Sequence, residues 1–142
     1  MSLSIRNQIA GTVTAVTTGE AMATVKVRLD GGQDITAAIT ADAVKDLGLA
    51  VGTAVKALVK ATEVALATGP VEGLSGLSIR NRIAGTVVDV ATGPAMASVK
   101  VDVNGGGLTA AITADAVEAL GLAAGTSVVA LIKSTEVSLQ TA

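Results

Sequence analysis

The 142-residue chain contains no cysteine, no histidine, no phenylalanine, tyrosine or tryptophan, and only two prolines. Each absence removes a class of chemistry. Without Cys there is no disulfide and no thiolate metal site; without His the commonest transition-metal ligand and the usual neutral-pH general base are both missing. No aromatic side chain can stack on a nucleobase, and a formal net charge of −2 is poorly suited to a phosphate backbone. No run approaches the roughly 18 consecutive apolar residues of a membrane span. The opening residues, MSLSIRNQIAG, lack the basic segment and apolar stretch of a signal peptide, so the expected compartment is the cytoplasm, with no membrane association. A GxxxxGK[ST] phosphate loop is absent, as is any Ser with a plausible base, and no enzymatic activity or catalytic cofactor is expected.

What the chain does contain is small, apolar and repeated. Half the residues are hydrophobic, so Ala, Val, Leu and Ile must supply all the burial. LSIRNQIAGTV at residues 3–13 returns as LSIRNRIAGTV at 77–87, TGEAMATVKV at 18–27 as TGPAMASVKV at 92–101, and ITADAV at 39–44 unchanged at 112–117. LVKATEV at 58–64 then meets LIKSTEV at 131–137, and roughly two thirds of all paired positions are identical. The organisation expected is a domain at 1–68, a Gly, Pro and Ser-containing linker at 69–76 (GPVEGLSG), and a second domain at 77–142. Domains this short bury only about 60% of the surface of their unfolded chains, and these have no staple, which predicts a homo-oligomer.

Within one copy, residues 24–29 and 98–103 alternate apolar and polar as half-buried strands do. Residues 9–16 read as the preceding strand, and Asp30-Gly31-Gly32 or Asn104-Gly105-Gly106 closes a hairpin. Thr40 and Thr113 are placed as N-caps of short helices that end at Gly48 and Gly121. Strands at 54–60 and 63–67 are expected to complete the unit. The order β-β-β-α-β-β predicts an all-β fold with one short helix per domain, two tandem OB-type five-stranded β-barrels. Strand four carries Leu58 and Lys60 on the face opposite Val55, Ala57 and Val59, so that outer face is expected to be covered by another domain or subunit.

Ser4 and Arg6, and again Ser78 and Arg80, alternate in an extended segment and project from one side. A hydroxyl and a guanidinium fork suit a tetrahedral oxyanion; Lys60 or Lys133 adds a second charge, and the helix starts at Thr40 and Thr113 add backbone donors. On spacing alone a plainer reading stays open, in which the arginines form surface salt bridges, the threonines only cap helices and Glu63 and Glu136 are surface residues.

The SxRN opening, the GTV strand, the ITxxxxxxLGL helix segment and the late LxKAxxV strand, in that order twice, resemble the Mop family of molybdate-binding domains, and the pairing resembles the two-domain molbindins. The resemblance implies molybdate or tungstate as ligand, held reversibly for storage and homeostasis, and a homotrimer whose six domains mimic a hexamer. It places one kind of site at Ser4, Arg6, Lys60 and Ala61 with Thr40 of a neighbour, and its sister at Ser78, Arg80, Lys133 and Ser134 with Thr113. A second kind, near the threefold axis, falls at Ala21-Met22-Ala23 and Ala95-Met96-Ala97. Ile5 and Ile79 replace the family's commoner Ala; alternating away from Ser and Arg, they are expected to alter packing rather than ligation. Ala43 and Ala116 stand where some relatives carry Ser, and a backbone N–H at the helix start is the expected substitute. The alternatives are an oxyanion sensor read by a protein partner, and an OB-fold binder of single-stranded nucleic acid, which the missing aromatics and the net charge disfavour.

Overall fold

In the computed structural model, which describes residues 2–141, the strict alternation of MATVKVRL becomes strand β2 (Met22–Leu29), with Ala23, Val25, Val27 and Leu29 buried and the residues between them exposed. Met1 and Ala142, the outermost residues of the two expected domains, lie outside the described residues. β2 is flanked by β1 (Asn7–Thr18) and β3 (Asp34–Thr40), followed by α1 (Ala41–Leu47), β4 (Ala54–Val59) and β5 (Ala65–Ala67). The second repeat gives β6 (Asn81–Thr92), β7 (Met96–Asp102), β8 (Gly107–Thr113), α2 (Ala114–Leu120), β9 (Ser127–Ile132) and β10 (Ser138–Thr141). Single 3₁₀ turns at Ala61–Glu63 and Ser134–Glu136 precede the last strand of each repeat, and a third, Val71–Leu74, lies in the connector.

Both helices begin and end as their sequences require. The hydroxyls of Thr40 and Thr113 accept from the backbone N–H of Ala43 and Ala116 at 3.1 Å, and Gly48 and Gly121 take the left-handed C-terminal conformation at φ 63°. The first strands run longer than expected because a bulge bends each: register shifts between Val13 and Ala15, and between Val87 and Asp89. The glycine of each GTV motif is needed for a different reason. A Cβ on Gly11 would sit 2.6 Å from Val27 Cγ1 and 2.7 Å from the carbonyl oxygen of Arg28, and one on Gly85 would meet Val101 and Asp102 as closely. The strand can cross the barrel at that point only without a side chain.

The main departure from the repeat pattern is in the fifth strands. The sheets run β10-β4-β1-β2-β3 and β5-β9-β6-β7-β8. Residues 65–67, expected to finish the first barrel, pair instead with β9 of the second (Leu66 opposite Ala130), and β10 returns the exchange on β4 (Leu139 opposite Ala57). Strand 63–67 is also shorter than expected, because Ala61–Glu63 is a 3₁₀ turn. The exchange goes with continuous burial: one hydrophobic cluster, with Ile35 and Val59 from the first repeat and Ile83, Leu108 and Ile132 from the second, runs through both halves. Leu58 and Leu131, on the outer face of strand four, are covered within the single chain at 6% and 8% exposure.

Two asparagines join the halves. Asn7 is 2% exposed and places its side-chain amide against the edge of β8, donating from Nδ2 to the Thr109 carbonyl and accepting at Oδ1 from the Thr109 N–H, both at 2.8 Å. Asn81, 4% exposed, makes the same pair with Thr36 of β3, also at 2.8 Å. Each amide copies the donor and acceptor of a strand residue, which satisfies an edge that would otherwise be buried unpaired. Gln33 adds an unrepeated version, bonding the N–H and C=O of Ala84 at 3.1 Å.

Candidate anion-binding site

The segment before β1 is extended and folds over the start of its own sheet, held by its arginine. Arg6 donates from Nε to the Ser4 carbonyl at 3.2 Å and from Nη2 to the Leu3 carbonyl at 2.9 Å. Arg80 repeats this on Ser78 (3.3 Å) and Leu77 (2.7 Å). Of five N–H donors on a guanidinium, two are thus committed to orienting it and three remain for a ligand. Lys60 and Ala61 follow the end of β4, which is antiparallel to β1 with Val59 opposite Asn7, so sheet register brings chain positions more than fifty residues apart to one end of the barrel.

The result is a cleft of about 250 Å³ lined by Ser4, Ile5, Arg6, Lys60, Ala61 and Thr62. Four of the sequence-predicted positions meet here. Two cationic residues and two hydroxyl residues line it, no acidic residue does, and the one ion pair among the described residues, Arg28 with Asp34, involves neither Arg6 nor Lys60. A dianion leaving water needs this kind of compensation.

Lys133 lines a neighbouring cleft of about 310 Å³ with Ile79, Leu131, Ala111 and Ile112. Its remaining wall is residues 62–65 of the first repeat, including Glu63, so this cleft is mixed in charge. Thr62 lines both clefts. Ser78, Arg80 and Ser134 do not line the Lys133 cleft.

Thr40 and Thr113 are not part of either cleft. Each ends the strand beside the other predicted segment: Met22 pairs with Thr40 and Met96 with Thr113, and the N–H groups of Ala41 and Ala114 bond the carbonyls of Ala21 and Ala95 at 2.9 Å. Ala23 and Ala97 are buried, whereas Met22 and Met96 are about half exposed at 49% and 50%. Neither threonine lines a cleft, but the exchange packs the turn Ala61–Glu63 against β8, which ends at Thr113, and the turn Ser134–Glu136 against β3, which ends at Thr40.

Ile5 is half-buried between exposed Ser4 and Arg6, as the alternation predicts, and also lines the cleft with them; Gln8 reaches back to the Ile5 carbonyl at 3.1 Å. Ile79 is placed likewise beside Lys133. Of the helix-start N–H groups, those of Ala43 and Ala116 are bonded to the capping threonines and those of Ala41 and Ala114 to the carbonyls of Ala21 and Ala95. Sequence reasoning missed Thr62, although it repeats in LVKATEV and LIKSTEV, and missed Asn7 and Asn81, although both stand in the repeated SIRN phrase. Residue type alone did not separate a joint between halves from a ligand.

Comparison with known proteins adds the following. The profile of the TOBE domain matches residues 3–66 and again 77–139. The molybdenum transport protein ModE of Azotobacter vinelandii is 40% identical over 140 residues, 98% of this chain and 51% of its own length. The molybdenum-pterin-binding protein MopB of Rhodobacter capsulatus is 42% identical over 137 residues, 96% of this chain and 50% of its own. This chain therefore spans about half the length of these curated relatives. Among solved structures, the cytoplasmic molybdate-binding protein ModG, in a molybdate-bound crystal form, superposes with a TM-score of 0.93 at 39% identity over 100% of both chains.

Proposed function

The chain belongs to the TOBE-domain family as a tandem pair, and on that premise we propose that it is a cytoplasmic molybdate- or tungstate-binding protein that stores the oxyanion reversibly and does no chemistry on it. The observation that carries this reading is the acid-free cleft where Ser4, Arg6, Lys60 and Ala61 converge, in a chain whose whole length superposes on a molybdate-binding protein. Its donors match a tetrahedral dianion: a pre-oriented guanidinium edge, an ammonium, and a hydroxyl able to donate. The sister set is Ser78, Arg80, Lys133 and Ser134. Thr40 and Thr113 complete these sites from a neighbouring repeat, in a trimer that brings six repeats together. Ala21-Met22-Ala23 and Ala95-Met96-Ala97, with half-exposed methionines and Thr40 or Thr113 as cross-strand partners, form the contacts about its axis.

Relatives named for molybdenum-pterin suggest a larger ligand. A pterin ring needs a flat apolar surface, and this chain has no aromatic residue to offer one. The matched unit makes up about half of longer relatives, which favours a second reading, a sensing module whose loaded state a protein partner reads. The deciding experiment is isothermal titration of the anion-free protein with molybdate, with and without excess sulfate, on material of measured solution mass. Tight, sulfate-resistant binding at more than one anion per chain in a trimer supports storage. No heat in a folded protein refutes it, and a pull-down that captures a partner only with molybdate present favours the sensor.

A further inference from the structure

The two repeats differ on the outward face of strand four, and the strand exchange collects those differences in one place. Lys56 of β4 corresponds in the repeat to Val129 of β9, and Gln140 of β10 to Ala67 of β5. Exchange sets Gln140 opposite Lys56, and Ala67 opposite Val129. One barrel thus shows an ammonium beside an amide. The other shows two apolar residues, with Val129 buried in the neighbourhood of Pro70 and Val71 of the connector.

Over the first barrel this leaves a polar cleft of about 420 Å³ lined by Ser2, Leu3, Arg6, Gln8, Lys56 and Gln140. Arg6 is the wall it shares with the Ser4–Lys60 cleft. No carboxylate lines either space, and the single ion pair among the described residues is elsewhere. Two unpaired cations flanked by two primary amides are a donor set for an anion. The second repeat does not rebuild it: Val129 and Ala67 stand where Lys56 and Gln140 do, and Arg82, which replaces Gln8, is turned back to the carbonyls of Leu77 and Ile79 at 2.7 and 3.0 Å.

We propose that this Arg6–Lys56 cleft is an additional, weaker oxyanion position, present in the first barrel only and adjacent to the Ser4–Lys60 site. It rests on the reading of that site as an oxyanion site. Its donors are exposed, so it holds a tetrahedral dianion by charge, falls off with ionic strength and does not discriminate between molybdate and sulfate.

The test is titration of the full anion-free chain with molybdate and, separately, sulfate at low ionic strength, comparing wild type with Lys56→Val and Gln140→Ala. Lys56→Val gives the first barrel the residue of the second, and its exposure predicts an unchanged melting temperature. The expected result is a tight molybdate class plus one weak site per chain filled by either anion. In Lys56→Val the weak class loses at least about tenfold in affinity, the size of one charged hydrogen bond, and the tight class keeps its number and affinity. Gln140→Ala weakens the same class to a smaller extent. Identical weak isotherms for wild type and Lys56→Val, or no weak class at all, overturn the proposal. Loss of the tight class in wild type itself would instead overturn the molybdate reading, and the sulfate titration still scores the weak position.

Discussion

Replacing Asn7 by Ala removes two hydrogen bonds of 2.8 Å at a position 2% exposed and leaves the N–H and C=O of Thr109 facing the space the amide filled. A buried polar group that loses its partner costs about 1–3 kcal/mol. Thr109 is half-buried, so water recovers part of this, and the loss expected is about 2–4 kcal/mol of a total near 5–15 kcal/mol. For a chain of this length that is a drop in melting temperature of roughly 4–16 °C. Far-ultraviolet circular dichroism is the assay, since no aromatic residue reports by fluorescence. Asn81→Ala should match it through Thr36, and Gln8→Ala, which removes an exposed amide bonded to Ile5, is the control. Because both asparagines join the same two halves, the double variant should depart from additivity while still melting in one transition. Asn7→Asp sharpens the test: a carboxylate still accepts from the Thr109 N–H but opposes the Thr109 carbonyl, and only its protonated form can donate there. Its folded-state pKa is therefore raised, so its contribution is fully present below the unfolded carboxylate range and is lost as pH rises through the folded value. A melting temperature for Asn7→Ala within about 1 °C of Gln8→Ala would refute the reasoning, because the amide would then be no more than a surface contact.

Ile5→Ala and Ile79→Ala should leave stability nearly unchanged but narrow the preference for molybdate over sulfate in competition titrations, since an apolar wall penalises the smaller, more strongly hydrated anion more. An unchanged ratio would mean that donor placement alone selects. Gly11→Ala forces a methyl against Val27 and Arg28 and should destabilise by about 1–3 kcal/mol in denaturant titration. Asp34 sits below its usual carboxylate range, chiefly through its hydrogen bond with Arg28 at 2.6 Å, so its small stabilisation is present above the unfolded pKa and fades as pH falls through the folded one. Both groups are exposed, so Asp34→Asn should flatten the acid limb of stability against pH only slightly, and a large effect would contradict the screening argument. Molybdate at about a hundred times its dissociation constant should add about 2.7 kcal/mol, read as a rise in melting temperature that Arg6→Ala combined with Arg80→Ala removes.

What could be read from residues was what depends on short sequence windows. The period-2 pattern of MATVKVRL, the Thr40 and Gly48 caps and the Asn104-Gly105 turn, where Asn104 takes φ 62°, each follow from local chemistry, and each is found. Ser4, Arg6, Lys60 and Ala61 could be grouped because a recurring motif order, not their separation, links them. Strand exchange was illegible for a physical reason: Ala65–Ala67 and Ser138–Thr141 are equivalent positions of the repeat, so local pattern lets either pair with either fourth strand, and the contacts that distinguish the two arrangements lie between the halves. The same exchange decides what the clefts contain. It carries Thr62 and Glu63 of the first repeat to Ile79 and Lys133 of the second, and sets Gln140 beside Lys56, so substitutions that look scattered along the chain fall together where the repeats join. A repeat protein of this kind can therefore diverge in one half and change the surface of the other, which is why the Lys56 and Val129 positions, equivalent in sequence, face different surroundings.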